Sequence, residues 1–266
     1  MNINWVVQIN LGKHYADDVE KACKALGLGF QAEKVVPFSD ELPDAPTDCL
    51  TSFYGATRWI NNIYESGQWT PGVFFNPDSI LPVWIKHYGK CALNHGAKIT
   101  TIKGLSSAIK LGDYDQDKLL FVRPTSDQKE FAGDVISVNA MDEWADKIIT
   151  DVLDFSSTEI AVADPVGISH EWRLFIVDGK VISGSHYRSY HKLTINEDLP
   201  KGVVEFAEEQ AKVYSPSPVF VMDIGQSADE LYIVEIGCFH SAGFYATNVT
   251  EIIAAVTDYI TEHYIV

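Results

Sequence analysis

At 266 residues the chain is longer than one average domain and shorter than two, which points to one divided domain or two interlocked lobes. Hydrophobic residues at 46% and charged residues at 21% describe an ordinary globular core and surface, large enough to need no disulfide or metal staple. The formal net charge of -17 disfavours sequence-independent nucleic-acid binding, which lysine and arginine drive by neutralising phosphates, although a locally basic cleft could still hold a nucleotide.

The chain opens on "NWVVQI", an apolar, β-branched run that predicts a buried strand. In "HYADDVEKACKALG" the residues Val19, Ala22, Cys23 and Leu26 recur at helical spacing, and Gly27 supplies a stop. A second strand is expected over "EKVVPF" and a third over "DCLTSFYG", followed by a short helix in "ATRWINNIYESG" with Trp59, Ile60 and Ile63 inward. This rhythm predicts a small α/β unit with parallel strands. The stretch "SGQWTPGVFFNPDSILP", rich in Gly, Pro and Asn, reads as the crossing to the rest of the chain.

After about residue 90 the pattern changes. Strands are expected in "KLLFVRP", "DVISV", "EIAVAD", "EWRLFIVDGKVISGSHYR", "PVFVMDIG" and "ELYIVEIG". Helices are expected in "MDEWADKIITDVLDF", "VVEFAEEQAKVY" and "NVTEIIAAVTDYITEHY". "VDGK" between two apolar runs is an Asp-Gly hairpin turn with positive φ at both central residues. The order predicts α+β lobes with antiparallel sheets behind an α/β lead-in. Cys23, Cys49, Cys91 and Cys238 lie far apart without a C-x-x-C, so free thiols in a reducing compartment are expected. The first residues lack the basic and apolar regions of a signal peptide, and no apolar run approaches the ~20 residues of a membrane helix. A cytoplasmic protein without membrane contact is therefore expected.

Three places carry more polar chemistry than their strands need. In "LFVRPTSDQKEFAG" a strand delivers Arg123 and a polar loop brings Lys129, two cations able to grip phosphate oxygens or to decorate an exposed hairpin. In "HEWRLFIVDGKVISGSHYRSYHK" the residues Glu171, Arg173 and Arg188 sit among apolar strand positions; a buried arginine there needs a phosphate or a cross-strand glutamate. His186 and His191 are five apart, the wrong spacing for two ligands on one strand face. Finally, Asp223 and Glu235 lie 12 residues apart across the turn "GQSADEL", so pairing of their strands would bring two carboxylates together. Such a pair repels unless protonated or bridged, and magnesium takes one or two carboxylates plus nucleotide phosphates.

In this order the segments resemble the ATP-grasp superfamily over roughly residues 90 to 250, and within it the clade named for two arginines and a lysine. "FVRPTSDQKEFAG" is similar to the first strand and phosphate-covering loop. "TEIAVADPVGISHEWRLFIVDGKVI" is similar to the adenine-contacting hinge and the hairpin of the second lobe. "VFVMDIGQSADELYIVEIGCFHSAGFY" is similar to the metal-carboxylate strands and their trailing loop. The upstream "GQWTPGVFFNPDSI" and "CALNHGAKITTI" resemble the same clade.

The resemblance implies two α+β lobes gripping ATP, with an α/β lead-in over 1–90 and the grasp domain over 91–266, its lobes at 91–160 and 161–266. It implies that Arg123 and Lys129 hold the α and β phosphates and that the backbone of Glu159, Ile160, Ala161 and Val162 reads adenine. Asp223 and Glu235 would hold Mg2+, and Arg173, with Arg188, would meet the transferring phosphoryl or acyl phosphate. The implied activity is ATP-dependent ligation of a carboxylate to an amine or thiol, on an amino-acid or peptide-like substrate, with a homodimer compatible. The other reading is a catalytically weak nucleotide-binding module. Two departures stand out: the usual lysine ending the first strand is Arg123, and the asparagine two positions after the second carboxylate is Gly237, for which His240, Ser241 or Asn248 could substitute. A nucleotidyl-transferring nucleic-acid ligase is set aside, because Lys180 follows the Asp-Gly of "VDGK" instead of preceding it, and the overall charge is wrong. Trp69, Phe74, Trp84 and Tyr190 are aromatics of either core or substrate pocket.

Overall fold

A computed structural model describes residues 3–11, 15–37, 39–126, 130–149 and 155–265. The chain divides into two compact units, Met1–Pro77 with Ile168–Val266, and Asp78–Gly167. The first unit begins with a parallel sheet of β1 (Ile3–Gln8), β2 (Gly29–Glu33), β3 (Leu50–Tyr54) and β4 (Thr70–Gly72), in the order β2-β1-β3-β4. Helix α1 (Tyr15–Leu26) buries Val19, Ala22 and Cys23, while Leu26 at its end stays 37% exposed. Burial pushes the Cys23 thiol up to about 12, aided by nearby Glu20, so it is an inert core group. Helix α2 (Thr57–Ser66) buries Trp59, Ile60 and Ile63 and ends on the left-handed Gly67.

The second strand begins four residues ahead of "EKVVPF" and overlaps it only at Glu33. Asn10 explains the shift: its side chain donates to the Val35 carbonyl (2.8 Å) and accepts from the Val35 amide (3.2 Å). That captures the backbone which a longer ladder would have used.

The second unit holds α3 (Leu81–Tyr88), β5 (Lys98–Thr101), α4 (Ile102–Lys110), β6 (Leu119–Pro124), β7 (Asp134–Ser137), α5 (Met141–Ile148) and β8 (Glu159–Ala163). Its four strands form an antiparallel sheet in the order β5-β8-β6-β7. Thr101 caps α4 by accepting from the Gly104 amide (3.0 Å), and Leu105, Val122, Trp144 and Ile160 join one core. Helix α3 emerges from the end of the supposed crossing, with Pro82 in its first turn. Helix α5 stops at Ile148, and the continuation expected over 150–154 lies outside the described residues.

The chain then returns to the first unit with β9 (His170–Val177), β10 (Lys180–Ser189), β11 (Lys192–Asn196), α6 (Lys201–Val213), β12 (Val219–Ser227), β13 (Glu230–Cys238) and α7 (Val249–His263). The five strands are antiparallel, ordered β11-β10-β9-β12-β13. Asp178 and Gly179 at the β9–β10 turn have φ of 48° and 73°, as the Asp-Gly pair requires. Trp5 and Val7 of β1 share one core with Phe175 of β9, Val221 of β12 and Ile253 of α7. The Trp5 indole donates to Thr257 Oγ1 (3.2 Å), and the Tyr54 hydroxyl to the Ala242 carbonyl (2.7 Å). Parallel and antiparallel sheets are thus two walls of a single interior. All four cysteines are free, and among the described residues no helix is long and apolar enough to cross a membrane.

His240, in the short helical turn after β13, fastens that interior. It is fully buried; Nε2 accepts from the Phe74 amide (2.7 Å) and Nδ1–H donates to the Phe53 carbonyl. Burial lowers its pKa to about 4, opposed in part by the Phe53 carbonyl. Above pH ~6.5 the imidazole is neutral in both folded and unfolded chains, so stability is full there. As pH falls from ~6.5 towards 4 the unfolded chain takes up a proton that the folded one refuses, and stability drops by up to ~1.4 kcal/mol per unit. Urea melts across that window should show a steeper loss for the native protein than for a His240→Gln variant; equal slopes would remove His240 from the acid response.

Candidate functional site

The five-stranded sheet places its charged side chains by register. Arg173 on β9 stands opposite Asp223 on β12, and Asp223 opposite Glu235 on β13. Glu171, two residues before Arg173, shares its face by strand alternation. Arg173 and Asp223 form a two-pronged fork, Nε to Oδ1 at 2.9 Å and Nη2 to Oδ2 at 2.8 Å. Their side chains are 13% and 2% exposed. Burial opposes the Arg173 charge, but the adjoining Asp223 carboxylate outweighs it and holds the guanidinium firmly protonated.

The cross-strand glutamate considered for Arg173 therefore goes elsewhere. Glu171 accepts from Arg188 Nη1 at 3.4 Å and from the Tyr187 hydroxyl at 2.8 Å. Strict alternation would send Tyr187 and Arg188 to opposite faces. A β-bulge between His186 and Arg188 sets two residues of β10 against one of β9, and both side chains reach Glu171. Burial first, then Asp223 and Glu171, push the Tyr187 phenol well above its ordinary range, so it remains a donor. Tyr245 stacks on Tyr187 (5.0 Å, 4°), and the Arg173 guanidinium lies 5.1 Å from the Tyr245 ring centre.

Among the described residues the face carries the carboxylates Glu171, Asp223 and Glu235 and the guanidiniums Arg173 and Arg188. Asp223 and Glu235 are hard oxygen donors at paired positions, which fits magnesium held jointly by protein carboxylates and nucleotide phosphates. Among the described residues no group of three or more His, Cys, Asp or Glu could hold a metal unaided. Two substitutes for the missing asparagine are corrected here. His240 spends both ring nitrogens on backbone groups in the core, and Asn248 caps α7 by accepting from the Glu251 amide (3.3 Å). Gly237 itself has open space: a Cβ added there meets nothing within 4 Å.

In the second unit Arg123 lies on β6 opposite Ala161, half-buried, with Gly133 close enough that an added Cβ would sit 3.2 Å from the Arg123 Cβ. Lys129 lies outside the described residues; the Ser126 hydroxyl lies within reach of both oxygens of Glu130 (2.9 and 2.8 Å). Glu159, Ile160, Ala161 and Val162 occupy β8, paired with β5 on one side and meeting β6 or Thr125 on the other. Their backbone groups are thus engaged by the ladder, which ends at Ala163, and 164–167 run outside it. Of the four aromatics, Trp69, Phe74 and Trp84 are core, whereas Tyr190 is 70% exposed. Tyr190 and His191 form the β10–β11 turn at φ of 45° and 66°, a conformation rarely held by bulky side chains. Tyr187 and Tyr245 had no sequence signal as site residues, since the bulge that re-aims Tyr187 leaves no mark on the apolar pattern.

A family model of the ATP-grasp domain, family 3 of the clade named for two arginines and a lysine, matches residues 57–256, about three-quarters of the chain. No curated protein matches the sequence. Among solved structures, the D-cycloserine synthetase DcsG superposes with a TM-score of 0.66 at 12% identity, covering 97% of this chain and 100% of that one. The D-alanine–D-alanine ligase from Bacillus anthracis complexed with ATP gives 0.61 at 12% identity, covering 98% and 97%. The ATP-grasp ligase PsnB, complexed with minimal precursor, Mg and ADP, gives 0.55 at 11%, covering 97% and 99%. Likeness at such identities is likeness of fold, and the family match carries the assignment: this chain belongs to the ATP-grasp domain family, in the third family of the two-arginine-and-lysine clade.

Proposed function

We propose that the protein is an ATP-dependent ligase that joins a carboxylate to an amine or thiol through an acyl phosphate, on an amino-acid or peptide-like substrate. The observation that carries this reading is the face of β9, β12 and β13, where Asp223 and Glu235 stand at paired positions beside Arg173. Neighbours in fold support the substrate class: one is a D-alanine–D-alanine ligase and another was solved with a precursor and with Mg and ADP.

In this reading the substrate carboxylate oxygen attacks the γ-phosphorus, the bond from that phosphorus to the β-phosphate oxygen breaks, and ADP leaves. The amine or thiol then attacks the acyl carbon and expels phosphate. Asp223 and Glu235 would hold magnesium, which when bound would neutralise phosphate charge. Arg188, whose side chain is 44% exposed, meets the transferring group, and Arg173 steadies Asp223 while offering its remaining N–H edge. Arg123 and Lys129 hold the α and β phosphates. Adenine is read by the backbone that follows Glu159–Val162, beyond Ala163, where the ladder has ended. Positioning and charge neutralisation suffice for phosphoryl transfer, so no side-chain nucleophile is needed.

A second reading, a nucleotide-binding module with weak chemistry, draws on one observation: Gly237 brings no oxygen, and neither His240 nor Asn248 replaces it. The two readings separate in one assay. MgATP should raise the melting temperature, by ~2.7 kcal/mol of stability at a hundredfold excess over Kd, and ADP should appear when amino acids or short peptides are added. Stabilisation without ADP selects the module; no stabilisation at millimolar MgATP removes both.

Glu235→Gln tests the metal role more cleanly than any change at Asp223, since it leaves the Arg173 fork intact; it should abolish the magnesium dependence of that stabilisation. Gly237→Asn, with open space around the new side chain, should melt like the native protein and lower the magnesium concentration needed for half-maximal ADP formation.

Arg173→Lys keeps the charge and loses the fork. We expect a stability loss of about 1–3 kcal/mol, together with a turnover loss of ~10²–10³ measured well below the melting temperature. Native turnover in a variant of lowered melting temperature would confine Arg173 to the framework.

A further inference from the structure

The five-stranded sheet that carries the charged face ends on β11, and that edge is left open. β11 pairs with β10 on one side and, among the described residues, with no strand on the other. Leu193 stands opposite Arg188, which puts it on the charged face, and Ile195 follows on the same side by alternation. Asn196 turns to the other side, where its amide meets His186 Nδ1 (3.1 Å). Leu193 and Ile195 are 66% and 48% exposed. Open strand edges with apolar side chains invite pairing, and proteins ordinarily blunt them with charge, proline or a covering segment. Here the charges sit at the two ends of the edge: His191 and Lys192 before Leu193, Glu197 and Asp198 after Asn196, all exposed.

The edge is also held in place. Ser189 pairs with Lys192 across a two-residue turn, and the Tyr190 amide within that turn donates to the Ser169 carbonyl (3.0 Å). A strand already fixed loses little freedom when another chain pairs with it.

We propose that β11 is a docking strand for an extended segment of a peptide substrate: apolar over Leu193 and Ile195, acidic where it meets Lys192, and basic where it meets Glu197 and Asp198. Main-chain hydrogen bonds along the edge would give affinity, and the alternate side chains selectivity. The proposal rests on the reading of the protein as a ligase for a peptide-like substrate, and narrows it. Strands lie ~4.8 Å apart, so a chain added outside β11 runs ~19 Å from β12 and its Asp223. At ~3.3 Å per residue, the reacting residue then lies about six residues from the docked segment, and a free amino acid would leave the edge empty. A second copy of the chain is the other candidate occupant. Pairing through this edge would engage only five residues of strand per partner, far short of the ~800 Å² a stable interface needs.

The probe is the pentapeptide acetyl-Lys-Val-Thr-Val-Glu-amide, which matches the edge when run antiparallel, followed through the backbone amide resonances of the native protein. It should shift residues 192–196. Leu193→Asp, at an exposed position, should weaken the binding about tenfold, whereas Val213→Asp, also exposed but on α6, should leave it unchanged. N-methylation of two successive central residues of the probe, one of which faces β11 in either register, should abolish the shifts. No shift over 192–196, or equal affinity in Leu193→Asp, overturns the proposal. So does a native dimer at micromolar concentration that Leu193→Asp dissociates. Failure of the ligase reading looks different: β11 shifts with the probe while millimolar MgATP gives no stabilisation. ADP formed from free amino acids without any β11 shift sinks the docking strand and leaves the ligase standing.

Discussion

The fork between Arg173 and Asp223 is the interaction around which the charged face is built. It joins β9 and β12, interior strands of the five-stranded sheet, at a register pair where Asp223 is almost wholly out of water. Taking two charges out of water is costly, and a buried pair repays that cost only when its geometry and remaining hydrogen bonds are good. The geometry is met here by two short parallel bonds, one to each oxygen of Asp223. Removing either partner alone would strand a buried charge, typically at about 3–5 kcal/mol. The fork therefore constrains what every neighbour can be. Glu171 needs its own cation, which Arg188 provides, and Glu235 meets the fork from the far side, across the β12–β13 pair.

That arrangement divides the two arginines of the face by task. Arg173 is short of freedom, gripped at two atoms and packed against Tyr245, whereas Arg188 reaches Glu171 at 3.4 Å and is 44% exposed. A buried, fixed cation suits a pre-organised field; a more exposed one suits a group that must follow a moving charge. The proposed phosphoryl transfer asks for both kinds.

Much of this could be read in the amino-acid order, and the exceptions have physical causes. Strand periodicity placed Asp223 opposite Glu235, because a hairpin with a short turn leaves little choice of register. The helices with a clear apolar stripe, α1, α2, α6 and α7, appeared where the stripe lies. Three things were hidden. Asn10 moved β2 upstream by a side-chain capture from 25 residues away, which no local pattern encodes. A bulge, one extra residue in a ladder, turned Tyr187 towards Glu171 against the alternation of its strand. And His240, polar and just past the strand that carries Glu235, was one of three candidate ligands until the fold showed both its nitrogens answering backbone groups in the core.

The single interior shared by β1, β9, β12 and α7 bears on how the polypeptide acquires its structure. Trp5 reaches Thr257, a separation of 252 residues, so the walls of that interior come from opposite ends of the chain. Residues 78–167, by contrast, are continuous and carry their own core. Loop-closure entropy favours the continuous segment, and on a ribosome it would emerge complete while β1 and β3 still waited for their apolar partners. Until β9, β12 and α7 arrive, Trp5, Val7 and Tyr54 lack the surface that covers them, which makes the nascent amino-terminal third the part of this protein most in need of a chaperone.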